Sequence, residues 1–270
     1  MPRAAQNNPQ VPARLYKYLP SRFADNFVRR GDVLFRNLAY FRKVEDRGRN
    51  DLLEGLHMDH PDNPITIEAV DGRVRWQGNA AFLNSIDPQR LLIFCLSEIQ
   101  DESLFEEFSA DACVEIVDPP EFVRRCRVAV GRQFRFRDSG LLHGRTFYYA
   151  PNRPAPIDVT NPRQIAFCKH EAYSHQREYR LAVPLRGALK LTRRIVNELF
   201  SFDEEIAAGA PDERHVIIGS ISDIATIHTR YEQGASVPTV EKLDQLLQAV
   251  SGGRDFVLLP SAIEKTARLA

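Results

Sequence analysis

The stretch that most constrains the fold runs from Tyr173 to Val183, where a polar approach, Tyr173-Ser174-His175-Gln176-Arg177, turns into an alternating strand. From Glu178 onward Tyr179, Leu181 and Val183 fall on one face and Arg180 on the other, the period of two expected of a half-buried strand. A carboxylate therefore stands at the mouth of a strand, where binding and catalytic groups project from a rigid sheet. The plainer reading of the same residues is an edge strand with a solvated Glu178.

A second run, Leu91-Leu92-Ile93-Phe94-Cys95-Leu96-Ser97, is apolar almost throughout and of strand length, which places it near the centre of a sheet. Leu15–Leu19 alternates and stops at Pro20, and Val33–Asn37 follows a short helix that Ser21 caps and Gly31 ends. Asp71-Gly72 between Ile65/Ile67 and Val74/Trp76 reads as a hairpin. Glu102–Phe108 suits a short helix, Ala112–Val117 a strand, and Asp118-Pro119-Pro120-Glu121 a helix start with aspartate as the cap. Later, Thr192 to about Phe200 reads as helix, Val216–Ile218 as strand, Pro238–Val250 as an amphipathic helix and Asp255–Leu259 as strand. No regular strand–helix alternation and no GxGxxG occurs, so the expected class is a single mixed α+β domain over 14–270 with a split, largely antiparallel sheet and short helices. Residues 1–13 are expected to be disordered, and 184–270 is open to reading as a C-terminal extension.

Composition sets outer limits. With 270 residues, 43% hydrophobic and 27% charged, the chain can bury one large core. Lys plus Arg and Asp plus Glu balance at 36 each, so any attraction for a polyanion must be local. Cys95, Cys113, Cys126 and Cys168 lack CxxC spacing and sit in apolar settings, as isolated buried thiols of a reducing cytoplasm do. No apolar run reaches the roughly 20 residues of a membrane span, and Met1–Gln10 lacks a signal-peptide core, which leads to an expectation of a cytoplasmic protein with no membrane partner.

Local charge is less even. Residues 121–153 carry eight arginines against Glu121 and Asp138, a net of +6, interleaved with Phe134, Phe136, Phe147, Tyr148 and Tyr149. Such a strip is either internal ion pairing or a basic surface for a nucleic acid, with Arg135, Arg137 and Arg145 expected to be exposed on the face of the active cleft. The charged run from Leu38 to Gly55 reads as a solvated face. His57, Asp59, His60 and Asp62 crowd together without the spacing of a metal site, so no metal is expected there. Asp51, Glu54 and Glu98 would serve a metal-dependent nuclease or hydrolase only if the fold brought them together. A non-catalytic nucleic-acid or protein binding module is the third class that these residues allow.

Taken in order, Leu15-Tyr16-Lys17-Tyr18, Asn50-Asp51 with Glu54, Cys95-Leu96-Ser97-Glu98 and Glu178-Tyr179-Arg180 resemble an uncharacterised family of bacterial proteins. Its members open with Leu-Tyr-Lys-Tyr, carry Asn-Asp-Pro-x-Glu and Cys-Phe-Ser-Glu, and later show Glu-x-Glu-Tyr-Arg. Here Leu52 replaces the proline, Leu96 the phenylalanine, and Phe105 stands near the family's tryptophan. That layout is similar in turn to the ADP-ribosyltransferase fold. The resemblance implies NAD as substrate, held by Tyr16, Lys17 and Tyr18 on the first strand and by Arg36 and Tyr40 from the second. It implies Glu178 as the catalytic acid, stabilising an oxocarbenium-like ribose, and Gln176 as the residue that addresses the acceptor. Gln-x-Glu implies an amide or nucleobase target, with a nucleic acid held through residues 121–153 as acceptor and a protein as runner-up. A protein of this kind would act as an intracellular toxin or antiviral defence effector.

Overall fold

The computed structural model describes residues 10–43, 53–68, 72, 75–135, 137–196 and 212–230, all within a unit that ends at Arg230. From the N-terminus the elements are β1 (Leu15–Leu19), α1 (Ser21–Arg30), β2 (Asp32–Asn37) and α2 (Leu38–Lys43), then β3 (Leu56–Asp59), β4 (Ile65–Glu68), β5 (Arg75–Gly78) and β6 (Ala81–Ser85). The middle of the chain forms β7 (Leu91–Ser97), α3 (Glu102–Glu107), β8 (Ala112–Ile116), α4 (Pro119–Gln133), β9 (Leu142–Arg145) and β10 (Phe147–Tyr149). Next come α5 (Pro162–Ile165), β11 (Cys168–His170) and a 3-10 helix (Glu171–Gln176), then β12 (Glu178–Pro184), β13 (Thr192–Val196), β14 (Glu213–Ile217) and β15 (Ala225–Thr229).

The apolar run at 91–97 becomes β7, the strand on which the main sheet turns. Along one edge it pairs with β12 over its full length, Glu178 opposite Ser97 through Pro184 opposite Leu91, and β12 pairs in turn with β9. The other edge forks. β2 meets β7 only at Leu92 and Ile93, and β1 meets it only at Ser97. From there β2 leads to β14, and β1 to β8 and β15, giving eight strands in all, every pairing antiparallel. The protein is thus a mixed α+β fold with antiparallel sheets and few short helices. Two small antiparallel sheets (β13-β6-β3 and β4-β5) and a parallel pair, β10-β11, flank the main sheet.

Alternation assigns the two faces. Leu92, Phe94 and Leu96 join Tyr179, Leu181 and Val183 in the larger core, where Phe27 of α1 and Phe122 of α4 pack within about ring-contact distance of Phe94. Burying each of these rings is worth roughly 2–3 kcal/mol, which is why α1 and α4 cover this face. On the opposite face Ile93 and Ala182 pack with Leu38, Ile165, Ala166 and Phe167. Helix α1 ends at Gly31 in the left-handed conformation, φ 63°, and a side chain there would overlap the Gly219 carbonyl. Asp118 caps α4 by accepting from the Glu121 amide at 3.1 Å.

Several expectations are corrected here. Ser21 is the first residue of α1 and does not cap it; Pro20 holds the cap position, and the Ser21 hydroxyl donates instead to Asp111 at 2.9 Å. β12 is no edge strand. It lies between β7 and β9, every residue in it is buried, and Glu178 is only 5% exposed. Thr192–Val196 is strand, not helix: its β-branched Thr192, Ile195 and Val196 suit the pleated ladder that β6 offers. The order of the chain begins ahead of residue 14, since Pro12 is buried and Val11 packs against the larger core. The run from Leu38 to Gly55 is not wholly solvated, because Arg42 is buried and donates to the Glu54 carbonyl at 2.9 Å. The helix expected at 238–250 and the strand at 255–259 lie outside the described residues, as does Asp51.

Candidate functional site

Where β1 and β2 diverge from β7, the sheet leaves a cleft of about 400 Å³, within the range of small-molecule sites. Antiparallel pairing makes the odd residues of β7 point their backbone groups toward the fork. Cys95, midway between the last β2 pairing and the β1 pairing, has its carbonyl satisfied by Lys17 Nζ at 2.9 Å. The same ammonium lies 4.5 Å from the centre of the Phe94 ring. Lys17 is thereby drawn into the fork.

The residues expected to hold a nucleotide all line this cleft: Tyr16, Lys17 and Tyr18 from β1, Arg36 from β2, Tyr40 from α2, and Gln176 with Glu178 at the far side. Tyr16, Ser97 and Glu178 stand in line across β1, β7 and β12. At the usual strand spacing this puts Tyr16 and Glu178 about 10 Å apart, a gap that a dinucleotide spans. The Arg36 guanidinium stacks 4.2 Å from the Tyr40 ring centre and pairs with Glu213 at 3.3 Å. Tyr18 is committed to the fold: its hydroxyl accepts the Asp101 amide at 2.7 Å and its ring packs edge-on against Phe105.

Below the cleft lies a buried set of charges that the sequence did not announce. Glu178 accepts from Arg180 Nε at 2.7 Å and from Lys169 Nζ at 3.1 Å. Glu54 accepts from Arg180 at 3.0 Å and stands 3.6 Å from Lys169 Nζ. All four side chains are 7% exposed or less, and the set is neutral, two carboxylates against two cations. Burial by itself would push the Glu178 carboxyl upward; Arg180 and Lys169 outweigh it and hold the group well below the usual carboxylate range. Burial likewise favours a neutral Lys169, yet Glu178 and Glu54 raise its pKa and keep it an ammonium. Glu178 is therefore an anion and acceptor at neutral pH.

The approach to β12 aims these groups. Arg177 takes a left-handed conformation, φ 42° and ψ 54°, at the end of the 3-10 helix, which few residues other than glycine adopt. Its carbonyl accepts the Glu98 amide at 2.9 Å, and the Tyr148 hydroxyl accepts the Glu178 amide at 2.8 Å, so both flanks of the turn are tied down. Gln176 and Glu178 then both reach the cleft while Arg177 stays exposed. Gln176 is 3% exposed, and its amide is engaged at both ends, Nε2 donating to Glu107 at 2.7 Å and Oε1 accepting from Lys169 at 2.9 Å. It would address an acceptor only by exchanging one of these bonds.

Of the residues of the metal alternative, the two described ones, Glu54 and Glu98, are each drawn to cations. Glu54 faces Arg180 and Lys169, whereas Glu98 pairs with Arg145 at 2.6 Å. Among the described residues no group of three His, Cys, Asp or Glu side chains is placed to hold a metal ion. His57 is buried against the Tyr149 ring at 4.6 Å, away from any such group. All four cysteines are free thiols.

The arginine-rich stretch is a helix face more than a strand face. Arg124 and Arg125 pair with Glu121, Arg125 also with Asp223, Arg145 with Glu98 and Arg153 with Glu171. The carboxylates of α3 pair elsewhere: Glu102 and Glu106 bind Arg230, and Glu107 binds His175 and Gln176. Arg145 stands opposite Tyr179 in the ladder, on the face away from Glu178, and Arg137 is half-buried with its guanidinium on the Phe134 carbonyl. Of the expected trio Arg135 and Arg145 are exposed and Arg137 is not, and Arg145 is taken up by Glu98.

Among the described residues no helix is long and apolar enough to cross a membrane. No family model, no curated protein and no solved structure matches the chain.

Proposed function

We propose that the cleft at the fork binds NAD and that Glu178 serves, as a fixed carboxylate, the cleavage of the nicotinamide–ribose bond in an ADP-ribosyltransferase-like reaction. The observation that carries this reading is the convergence, in one cleft, of aromatic and cationic residues from β1 and β2 with an ionised carboxylate at the start of β12. Leaving of nicotinamide builds positive charge on the ribose. A preorganised anion that also accepts a ribose hydroxyl lowers the energy of that state more than it lowers the ground state. Arg36, stacked on Tyr40, supplies a planar cation of the kind that clamps a phosphate, and Tyr16 offers a ring face to the cofactor. Gln176, one bond from Lys169 and two from Glu178, sits where an acceptor would approach, and the acceptor is a nucleic acid or a protein.

The test is NAD consumption by the purified chain, read as nicotinamide release, with and without a divalent-metal chelator. The expected outcome is chelator-insensitive release that falls on the order of 100-fold or more in Glu178→Gln. Absence of both NAD binding and NAD cleavage, or cleavage that Glu178→Gln leaves intact, would remove the reading, and chelator sensitivity would favour a metal-dependent hydrolase.

A further inference from the structure

Between α4 and β14 runs a second, more open groove of about 810 Å³, lined by Arg124, Arg125, Arg132 and Gln133 from the helix and by His215 and Ile217 from the strand. His215 belongs to both linings, that of the groove and that of the cleft at the fork. Three strand spacings, β14 to β2 to β7 to β12, or about 14 Å where the strands pair, separate its strand from that of Glu178, and the divergence of β2 from β7 widens the gap at His215. The charge of this groove is set by the helix. Arg125 and Arg132 are seven residues apart, two turns of α4, so their side chains leave the same face about 10 Å from each other.

The guanidiniums are held in different ways. Arg124 is bound through both Nε and Nη2 to Glu121 at 2.6 and 2.7 Å, and Arg125 bridges Glu121 and Asp223. Arg132 is exposed and has no ion-pair partner among the described residues. Three arginines against Glu121 in the lining and Asp223 bound to Arg125 leave the groove with a net positive charge of one, carried by Arg132. Bidentate anchoring fixes where Arg124 presents its remaining N–H groups, which suits phosphate oxygens, whereas Arg125 also donates to the Ser220 carbonyl at 2.6 Å and serves chiefly to hold the groove wall.

The strand side of the groove argues against an added peptide strand. Val216 faces β2 in the ladder through its backbone, so His215 turns its carbonyl outward, and that carbonyl already accepts Gln133 Nε2 at 2.9 Å. A peptide extending the sheet at β14 would have to displace the helix side chain at the centre of the strand. Recognition through guanidinium groups has no such obstacle.

We propose that the α4–β14 groove binds the phosphodiester backbone of a nucleic acid strand and leads it past His215 toward the cleft, making the strand the acceptor. This rests on the transferase reading of the cleft for its purpose, though binding itself is measurable without NAD. The probe is a fluorescein-labelled single-stranded oligoribonucleotide, followed by anisotropy over a range of salt. Wild-type protein is expected to bind with log K falling linearly in log salt. The double variant Arg124→Gln/Arg132→Gln is expected to bind about tenfold more weakly, with a salt slope smaller by about 1.4, while NAD cleavage in the absence of RNA is unchanged. Arg153→Gln, in the same arginine-rich stretch but outside the groove lining, is expected to bind like wild type. The proposal is overturned by no binding at low salt, by an equal loss in Arg153→Gln, or by poly-glutamate displacing the probe as readily as unlabelled RNA does, which would point to an acidic protein. If RNA binds as expected and NAD is not cleaved, the groove stands and the reading of the cleft falls.

Discussion

Arginine and glutamate meet in two places on this molecule under opposite conditions, and the contrast separates what holds the site from what is left for a partner. Under β12, Arg180 is 0% exposed and its two carboxylates, Glu54 and Glu178, are 2% and 5% exposed. On α4, Arg124 pairs with Glu121 at an equally short distance, yet its side chain is 62% exposed. Distance is therefore a poor guide to consequence. In the buried set each charge has given up its water, so every remaining partner is indispensable; on the helix, water replaces whatever is removed.

The largest effect expected from this comparison follows removal of Arg180. Arg180→Met takes away the guanidinium that donates to Glu178, to Glu54 and to the Ala166 carbonyl, leaving two buried carboxylates with Lys169 as their shared cation. Breaking a buried pair in this way costs roughly 3–5 kcal/mol, a fall in Tm of about 10 °C for a unit of this size. Thermal unfolding followed by circular dichroism checks it. A fall of under about 2 °C would mean that the set is better hydrated than its burial indicates.

A smaller effect is expected from pH. The Glu178 carboxyl is held below its ordinary value, so its contribution to stability is complete above pH 5 and is lost as pH falls from about 4.5 toward the lower folded value. Lys169 is held above its ordinary value, so its contribution is complete below about pH 10 and is lost only in stronger base. The urea midpoint of the wild type should thus be level from pH 5 to neutral with respect to this set and drop toward pH 3. Glu178→Gln should drop less over the acid interval. Parallel curves for the two proteins would show that Glu178 is not the group being titrated.

How far these regions could be read from the sequence differs for the same physical reason. Local pattern identified β1, β7, the Gly31 end of α1, the Asp118 cap and the start of β12, because each is decided within a few residues by alternation, glycine or a side-chain cap. Pattern also placed Glu178 at the mouth of its strand, whereas Tyr16, Lys17, Arg36, Tyr40 and Gln176 were singled out by the resemblance alone; the fork brings all six to one cleft. Sequence gives Lys169 and Arg180 no role in the site, and it leaves Glu54 in a charged run or beside a metal with Asp51 and Glu98, because what buries these groups is remote: Glu54 meets Arg180 across 126 positions. One signal was present, a lysine ending the apolar run Ile165–Cys168 just ahead of Glu178. Thr192–Val196 was misread as helix, since the ladder that makes it a strand lies in β6, more than 100 residues earlier. The strands β9 and β15 gave no strong pattern because they stay largely half-buried, without a clear apolar face.

The smallest effect belongs to the exposed pair, and it tests the comparison from its other side. Arg124 and Glu121 sit three apart on α4, and Glu121 keeps a second partner in Arg125 when Arg124 is removed. Neither carboxylate nor helix is then left with an uncompensated buried charge, since solvent reaches both Arg124 and Glu121. Arg124→Ala should accordingly change stability by less than about 1 kcal/mol, within about 3 °C in Tm, and raising the salt should shrink even that difference, because exposed charges are screened within a Debye length of about 10 Å at 0.1 M. The same substitution should still weaken RNA binding, since a guanidinium that contributes little to folding is free to contribute to a ligand. Should Arg124→Ala lower Tm as much as Arg180→Met does, exposure would not be what distinguishes the two regions, and the α4 arginines would have to be counted as part of the fold instead of as a surface for phosphate.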